Sequence, residues 1–497
     1  MGIVHMVIVN FLPALASGLT LRSPALRMQA PSAAPIMPFE DWAEGQGINA
    51  PKLAVTGVAD LRGVTLLDDI EVGEELCCVP RTSCLDLSAV EGAGSPCEQM
   101  VPTPLWVGLR WYERLGCWLL HEKRRGAASH VSGYMGYLPS PDQFDDSPLE
   151  WSDEEIAVLS YPPLAVAIRE QRDEIQALYQ ALRTRGGPMA STVSEDELRW
   201  ALQLVLSRAF TSSIKKPSEV NVAPPPPPPN DPTSVAARMW LGQLPVVGSM
   251  IMGPPPPPPP PPLGDGLEMA MMPMLDAFNH RSSAQNDCAY DGKRNAFVLT
   301  ARAPLRKGSE AFLSYGKKSN DELLQLFGFV EESNPHDAFL SIGFEEYLAA
   351  PSTGLFASED ACERRFARLR TLGLDASLLG ELTSAGAPAD MLYALRVLLG
   401  TLDEIELKGE KLMQPQSLET EERVWAALRG YCKMARAAMG GPRTSDMSAA
   451  TKAQKEGDMR LATALRFRAE KKRLLSELEN RLSLQQSRSK KAGKVVR

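Results

Sequence analysis

Two short stretches hold the residues of this chain whose types and spacing could do chemistry. "PMLDAFNH" (273–280) carries an apolar run through Asp276 and ends in Asn279-His280. "GSEAFLSYG" (308–316) is an apolar, strand-like run that ends in Tyr315. His280 closes the first of these runs. A zinc site would need more ligands than Asp276 and His280 at i, i+4, and no third presents itself. A serine hydrolase would show a nucleophile in a recognisable setting, and no GxSxG occurs. By itself, a histidine at the end of an apolar run is a structural residue by default. A tyrosine after a strand equally often packs at a sheet edge. Taken alone, neither stretch decides anything.

The totals narrow the classes. At 497 residues the chain exceeds one core, so two or three domains are expected. Apolar content of 44% and charged content of 23% are ordinary for a soluble globular protein. A net charge of -8 gives no general footprint for nucleic acid or a membrane surface. The eight cysteines (77, 78, 84, 97, 117, 288, 362, 432) form no CxxC pair, which reads as reduced thiols and no metal. Residues 3–15 are apolar but too short to span a bilayer as a helix. A basic, hydroxylated stretch with no acid before Glu40 follows, so residues 1–40 read as a targeting leader. The plainer alternative is a disordered tail.

Several elements must position the two stretches. From about residue 48 short strands are expected in "KLAVTGV", "GVTLL" and "DIEVGEELCCVP", the last with a turn at Gly73 and a stop at Pro80. "WSDEEIAVL" opens a helix with Ser152 and Glu155 at capping-box spacing. "SEDELRWALQLVLSRAF" repeats this with Ser194 and Glu197 and sets Leu198, Ala201, Leu202, Val205 and Ala209 on one stripe. "NDCAYDGKRNAFVLTA" reads as two strands turned at Asp291-Gly292. From about residue 345 the pattern is helical almost to the end. Pro224–Pro229 and Pro254–Pro262 cannot be helix or interior strand. They read as a surface loop inserted in a folded domain, with docking to proline-reading modules as the alternative. "QQSRSKKAGKVVR" (485–497) has five basic residues and no acid, and is expected to be a solvated, disordered tail.

Order turns these pieces into a pattern. "SRAF" (207–210), then Pro273, Asp276, Asn279 and His280, then "SYG" (314–316) and "NDELLQLFGF" (320–329) follow one another. In this register the chain resembles the SET-domain protein methyltransferases, in the subgroup of the RuBisCO large-subunit methyltransferase. "RGVTLLDDIEVGEELCCVP" and "GYLPSPDQFDDSPLEWSDEEIAVL" match the N-terminal strands and the helical insert, and the resemblance covers roughly residues 45–480. It implies an α+β fold: a mixed-β, β-clip type, pseudo-knotted SET domain, followed by an all-α substrate-binding domain. The SET domain would span 41–336, with a helical insert over about 98–210 and the proline-rich loop over about 215–268. The all-α domain would span 337–484, before the basic tail.

The resemblance also implies S-adenosyl-L-methionine as cofactor and methyl transfer to a protein lysine of a non-histone substrate. Tyr315 matches the catalytic tyrosine, and Arg208 the arginine that holds the cofactor carboxylate. Asn279 and His280 match the adenine-reading pair, in which His280 acts chiefly through its backbone, and Gly63 belongs to the early cofactor loop. Phe210, Leu275, Phe327 and Phe329 would line the amine channel, while Asp276 is expected to be structural. Two departures stand out. The usual Gly-x-Gly loop reads Leu61-Arg62-Gly63, which puts that cofactor contact in doubt. The usual YGF reads Phe327-Gly328-Phe329, which removes a hydroxyl near the channel. A histidine-methylating branch carries Asn and Trp where this chain has Phe210 and Leu275, so lysine is expected here. Histidine methylation and a non-catalytic scaffold remain the alternatives. The expected protein is a monomer in a plastid, acting without nucleic acid or membrane.

Overall fold

The computed structural model describes residues 39–58, 61–90, 92–212, 268–401, 404, 413–415 and 417–495. The leader up to residue 38 and both proline runs lie outside the described residues. The first helix, α1 (Phe39–Gly45), precedes a hairpin of β1 (Leu53–Val58) and β2 (Leu61–Leu66). Strands β3 (Glu75–Pro80) and β4 (Leu85–Asp86) follow, with Gly73 at φ 86° just before β3. Six helices then fill the insert: α2 (Thr103–Trp106), α3 (Trp111–Arg125), α4 (Ser132–Tyr137), α5 (Asp153–Val158), α6 (Pro162–Arg185) and α7 (Glu195–Arg208).

Capping boxes start α5 and α7 where the sequence places them, at Ser152/Glu155 and Ser194/Glu197. Leu198, Ala201, Leu202 and Val205 are buried along α7. Ala209 departs from the expected stripe. The helix ends at Arg208, and Ala209 takes an extended conformation (ψ 141°) to begin β5 (Ala209–Ser212). The reason is pairing: Ala209 lies opposite Met271 in β6 (Glu268–Met271), and Ser212 lies opposite Glu268. The two ends of the undescribed segment 213–267 therefore leave and return on paired neighbours. Closing a loop costs free energy only slowly with its length, so this fold accepts a long insertion there.

After β6 come β7 (Asn279–His280), β8 (Asn286–Asp291), β9 (Ala296–Ala301) and β10 (Glu310–Leu313). Small sheets result, in the orders β1-β2-β10-β7, β3-β9-β8 and β4-β6-β5. Between β8 and β9 the turn is longer than a two-residue Asp-Gly hairpin. It runs from Gly292 to Asn295, the left-handed residue is Asn295 (φ 48°), and the Asp291 carboxylate accepts from the Lys293 and Arg294 amides.

Helix α8 (Asn320–Phe327) closes the first part. The remainder is helical: α9 (Phe344–Ala349), α10 (Glu359–Thr371), α11 (Ala389–Leu399), α12 (Leu418–Ala438), α13 (Arg443–Lys455) and α14 (Met459–Val495). A two-residue pair, β11 (Phe339–Leu340) with β12 (Glu381–Leu382), interrupts it. Instead of fraying, the basic tail continues α14 to Val495. Its lysines and arginines are good helix formers, and the helix is already nucleated upstream. The apolar cores of the two parts run together. Tyr161 of the insert packs on Phe339 and Phe467, and its hydroxyl accepts the Leu340 amide at 2.9 Å. Among the described residues, no helix is long and apolar enough to cross a membrane, and no cluster of three acidic, His or Cys side chains could hold a metal.

Candidate active site

Strand β7 is threaded beside β10, and this crossing builds the site. The pairing is parallel, with Phe312 opposite Asn279 and Leu313 opposite His280, while the other edge of β10 pairs with β2. Asn279 fastens the crossing, since its Nδ2 donates to the Arg62 carbonyl at 2.9 Å and to Glu310 Oε1 at 2.7 Å. Gly63 leaves room for this: a Cβ there would stand 2.6 Å from Glu310 Oε1 and 3.1 Å from Asn279 Nδ2. Leu61 lies in β2 opposite Val58, in extended backbone open to any residue, so losing a glycine there demands no special conformation.

Tyr315 sits where β10 ends. Its hydroxyl donates to the Phe278 carbonyl at 2.8 Å and its amide donates to His280 Nδ1 at 3.0 Å. Burial pushes the phenol up to about 12, against the opposing pull of the Arg208 charge. It is therefore neutral near pH 7, equipped to form hydrogen bonds and not to serve as a base. Around it stand aromatic rings: Phe327 at 4.8 Å between centroids and His280 at 4.9 Å, with Phe329 6.0 Å from His280. The αL conformation of Gly328 (φ 77°) caps α8 and turns the chain so that Phe327 and Phe329 both join this wall.

His280 does more than its backbone suggests. The imidazole accepts the Tyr315 amide at Nδ1, and Glu331 Oε2 stands 3.4 Å from Nε2. Burial holds its pKa below the ordinary imidazole value, with Glu331 opposing. Its side chain is thus part of the support of Tyr315, besides any role of its backbone.

Arg208 ends α7 beside the turn Leu275–Ala277. Its Nη1 donates to the Asp276 carbonyl at 2.5 Å and lies 3.4 Å from Asp276 Oδ2. Asp276 is fully buried. Tyr134 of α4 donates to Oδ2 at 2.6 Å, while Oδ1 has no partner among the described residues. Burial raises this carboxyl, with the Arg208 charge opposing. A second arginine, Arg62, lies over the Tyr137 ring at 4.0 Å. The cluster thus sets a guanidinium, which could meet an anionic group, beside a buried acceptor that could take only a donor. Met274 enters the turn at φ 73°, a strained conformation for a side chain with a Cβ, and is itself buried.

Of the residues singled out in the sequence, Tyr315, His280, Phe327 and Phe329 meet in one aromatic cluster, and Asn279 and Gly63 fasten the strand crossing beside it. Phe210 is partly buried against the core in β5, and Leu275 is wholly buried. Sequence reasoning missed Tyr134, Glu331 and Arg62. No local pattern marks them, because Tyr134 meets Asp276 across 142 positions. Placing α4 also needs Gly133, where a Cβ would stand 2.1 Å from Trp42.

The fold is similar to that of solved SET-domain structures of LSMT. The family model for Rubisco LSMT substrate-binding matches residues 358–475. SET domain-containing protein 4 of Mus musculus is 36% identical over 67 residues, 14% of this chain and 15% of that protein. The aligned part of its Homo sapiens counterpart is also 15% of that protein, so these two matches bear on one segment only. A tobacco (Nicotiana tabacum) protein, the chloroplastic ribulose-1,5 bisphosphate carboxylase/oxygenase large subunit N-methyltransferase, is 23% identical over 480 residues. That alignment covers 90% of this chain and 81% of the tobacco protein. Among solved structures, the SET domain of LSMT bound to lysine and AdoHcy superposes with a TM-score of 0.57 at 19% identity, covering 90% of each chain. Rubisco LSMT bound to AdoMet gives 0.55 at 20% identity, over 90% of this chain and 91% of that one.

Proposed function

We propose that this chain is an S-adenosyl-L-methionine-dependent protein-lysine N-methyltransferase acting on a non-histone protein. The observation that carries the reading is the Tyr315 hydroxyl, buried and held on the Phe278 carbonyl beside the Asn279-His280 crossing. With its proton given to that carbonyl, the oxygen can accept from an incoming amine N–H and fix its direction of approach. Arg208 would hold the carboxylate of the cofactor by a charge-assisted hydrogen bond. Asn279, His280 and Gly63 would form its adenine side. The cofactor supplies a methyl group on a sulfonium, a good leaving group, so the protein needs neither a metal nor a covalent intermediate.

Phe327 and Phe329, with Phe210 and Leu275, would wall the amine channel. An ammonium of pKa about 10.4 in water loses its proton more readily in such apolar surroundings beside a cation. Phe210 and Leu275 offer no hydrogen bond to an imidazole, which favours lysine over histidine. The C-terminal domain would present the protein substrate, and the chain would act as a monomer.

A plastid protein is the substrate class we favour. The tobacco relative is named for the Rubisco large subunit, and a chloroplastic Arabidopsis thaliana relative, 23% identical over 398 residues, for fructose-bisphosphate aldolase lysine. The leader and a possible docking of partners at the proline runs concern residues outside those described. Calorimetry with S-adenosylmethionine tests the cofactor, and no measurable affinity sinks the enzyme reading in favour of a scaffold. Mass spectrometry of plastid-lysate proteins incubated with the enzyme tests the target. Methylated lysine is expected, and methylated histidine overturns that part.

A further inference from the structure

A line of contacts joins the catalytic tyrosine to residues that the methyltransferase reading does not use. The Tyr315 amide donates to His280 Nδ1 at 3.0 Å, and His280 Nε2 faces Glu331 Oε2 at 3.4 Å. Oε2 is buried and takes no hydrogen bond among the described residues, so its 3.4 Å approach to Nε2 is an ion-pair distance, while Oε1 accepts the Ser282 amide at 2.9 Å. Glu331 is further fixed through its backbone. Its amide donates to Asn320 Oδ1 at 2.9 Å and its carbonyl accepts from Asn320 Nδ2 at 3.1 Å. Asn320 is completely buried and binds both oxygens of Asp337. Asp337 in turn accepts from Lys471 of α14 at 2.8 Å. A carboxylate so held has little freedom to leave the imidazole.

The imidazole has a choice of tautomer. With the proton on Nε2 it donates towards Glu331, and Nδ1 is free to accept the Tyr315 amide. With the proton on Nδ1, that nitrogen would face the Tyr315 N–H donor to donor, with the Leu313 carbonyl as its other possible partner. We propose that Glu331 is a positioning residue for Tyr315: its carboxylate selects the Nε2–H form of His280, and only that form holds the tyrosine backbone by its amide. This rests on the methyltransferase reading for its consequence, but the tautomer itself does not. The groups facing the imidazole are Glu331, Tyr315 and, through its charge when protonated, His336. Burial disfavours the doubly protonated ring, and Glu331 offsets part of that effect.

The test uses the full chain with 15N-labelled histidine, its His280 signals assigned with a His280→Gln variant. Nε2–H His280 is expected in the wild type, and an Nδ1–H ring overturns the proposal. In Glu331→Gln, His280 should titrate at lower pH, because the carboxylate that favours its charged form is gone. Affinity for S-adenosylmethionine should stay within about twofold, while methyl transfer to the lysate proteins falls about tenfold. Glu331→Asp, which keeps the charge, should recover part of that transfer. An unchanged His280 titration, unchanged transfer, or a loss of transfer matched by equal loss of cofactor affinity each overturns the proposal. A wild type that binds no S-adenosylmethionine sinks the function instead, while the tautomer measurement still decides the pairing.

Discussion

Tyr315 combines a buried phenol with two fixed contacts, one at its hydroxyl and one at its amide. Tyr315→Phe removes only the first. Cofactor affinity should persist in that variant while turnover falls about 10²-fold, the usual cost of losing one preorganised hydrogen bond in a reacting site. Calorimetry and single-turnover methyl transfer check the two halves. His280 makes a pH prediction. Its folded-state pKa lies below the ordinary imidazole value, so the neutral form is the one the fold prefers. That stability is fully present above the unfolded value of about 6.5 and is lost as pH falls through the lower folded value. Urea melts from about pH 8 to about pH 5 should show an acid-side decline that is smaller in His280→Gln.

Helix α8 shows how an element sets a wall. Ser319 accepts the Glu322 amide and Glu322 accepts the Ser319 amide, a complete capping box. At the other end Gly328 takes the left-handed conformation that turns Phe329 towards His280. Ser319→Ala should cost about 1 kcal/mol of stability, read from denaturant midpoints. Gly328→Ala should cost about 1–2 kcal/mol for the left-handed backbone and also loosen the aromatic wall. Tyr315 fluorescence or side-chain NMR would separate that second effect, which the cap variant should lack.

Across the whole molecule, one buried cation ties the C-terminal part to the site. Lys471 is fully buried in α14, binds Asp337 at 2.8 Å and the Ala338 carbonyl at 2.5 Å, and also contacts Asp321 of α8. The surrounding rings of Tyr161 and Phe467 belong to the insert and to α14. Lys471→Met fills a similar volume but leaves two buried carboxylates without their cation. It should destabilise the chain by about 3–5 kcal/mol in denaturant melts. Lys471→Met combined with Asp321→Asn should recover part of the loss, since one of the two stranded charges is gone. The C-terminal helices are thus joined to the rest by charge as well as by apolar packing.

Much was legible in the sequence wherever local rules govern. Ser152, Ser194 and their glutamates announce helix starts because a cap is satisfied within four residues. The order of "SRAF", "NH" and "SYG" carries the resemblance that implied the fold class, and the likeness to solved structures agrees with it. The turn signal at Asp291-Gly292 does separate β8 from β9, though the turn runs on to the left-handed Asn295, while α7 stops at Arg208 because Ala209 pairs with β6. What only the tertiary structure decided are contacts between distant positions: Tyr134 on Asp276, Glu331 on His280, Lys471 on Asp337. A buried polar group must find a partner, but nothing near it in the chain says which one, because burial is settled by packing. So the sequence alone named the side chains whose types suit the proposed chemistry, and the fold determined how each is held.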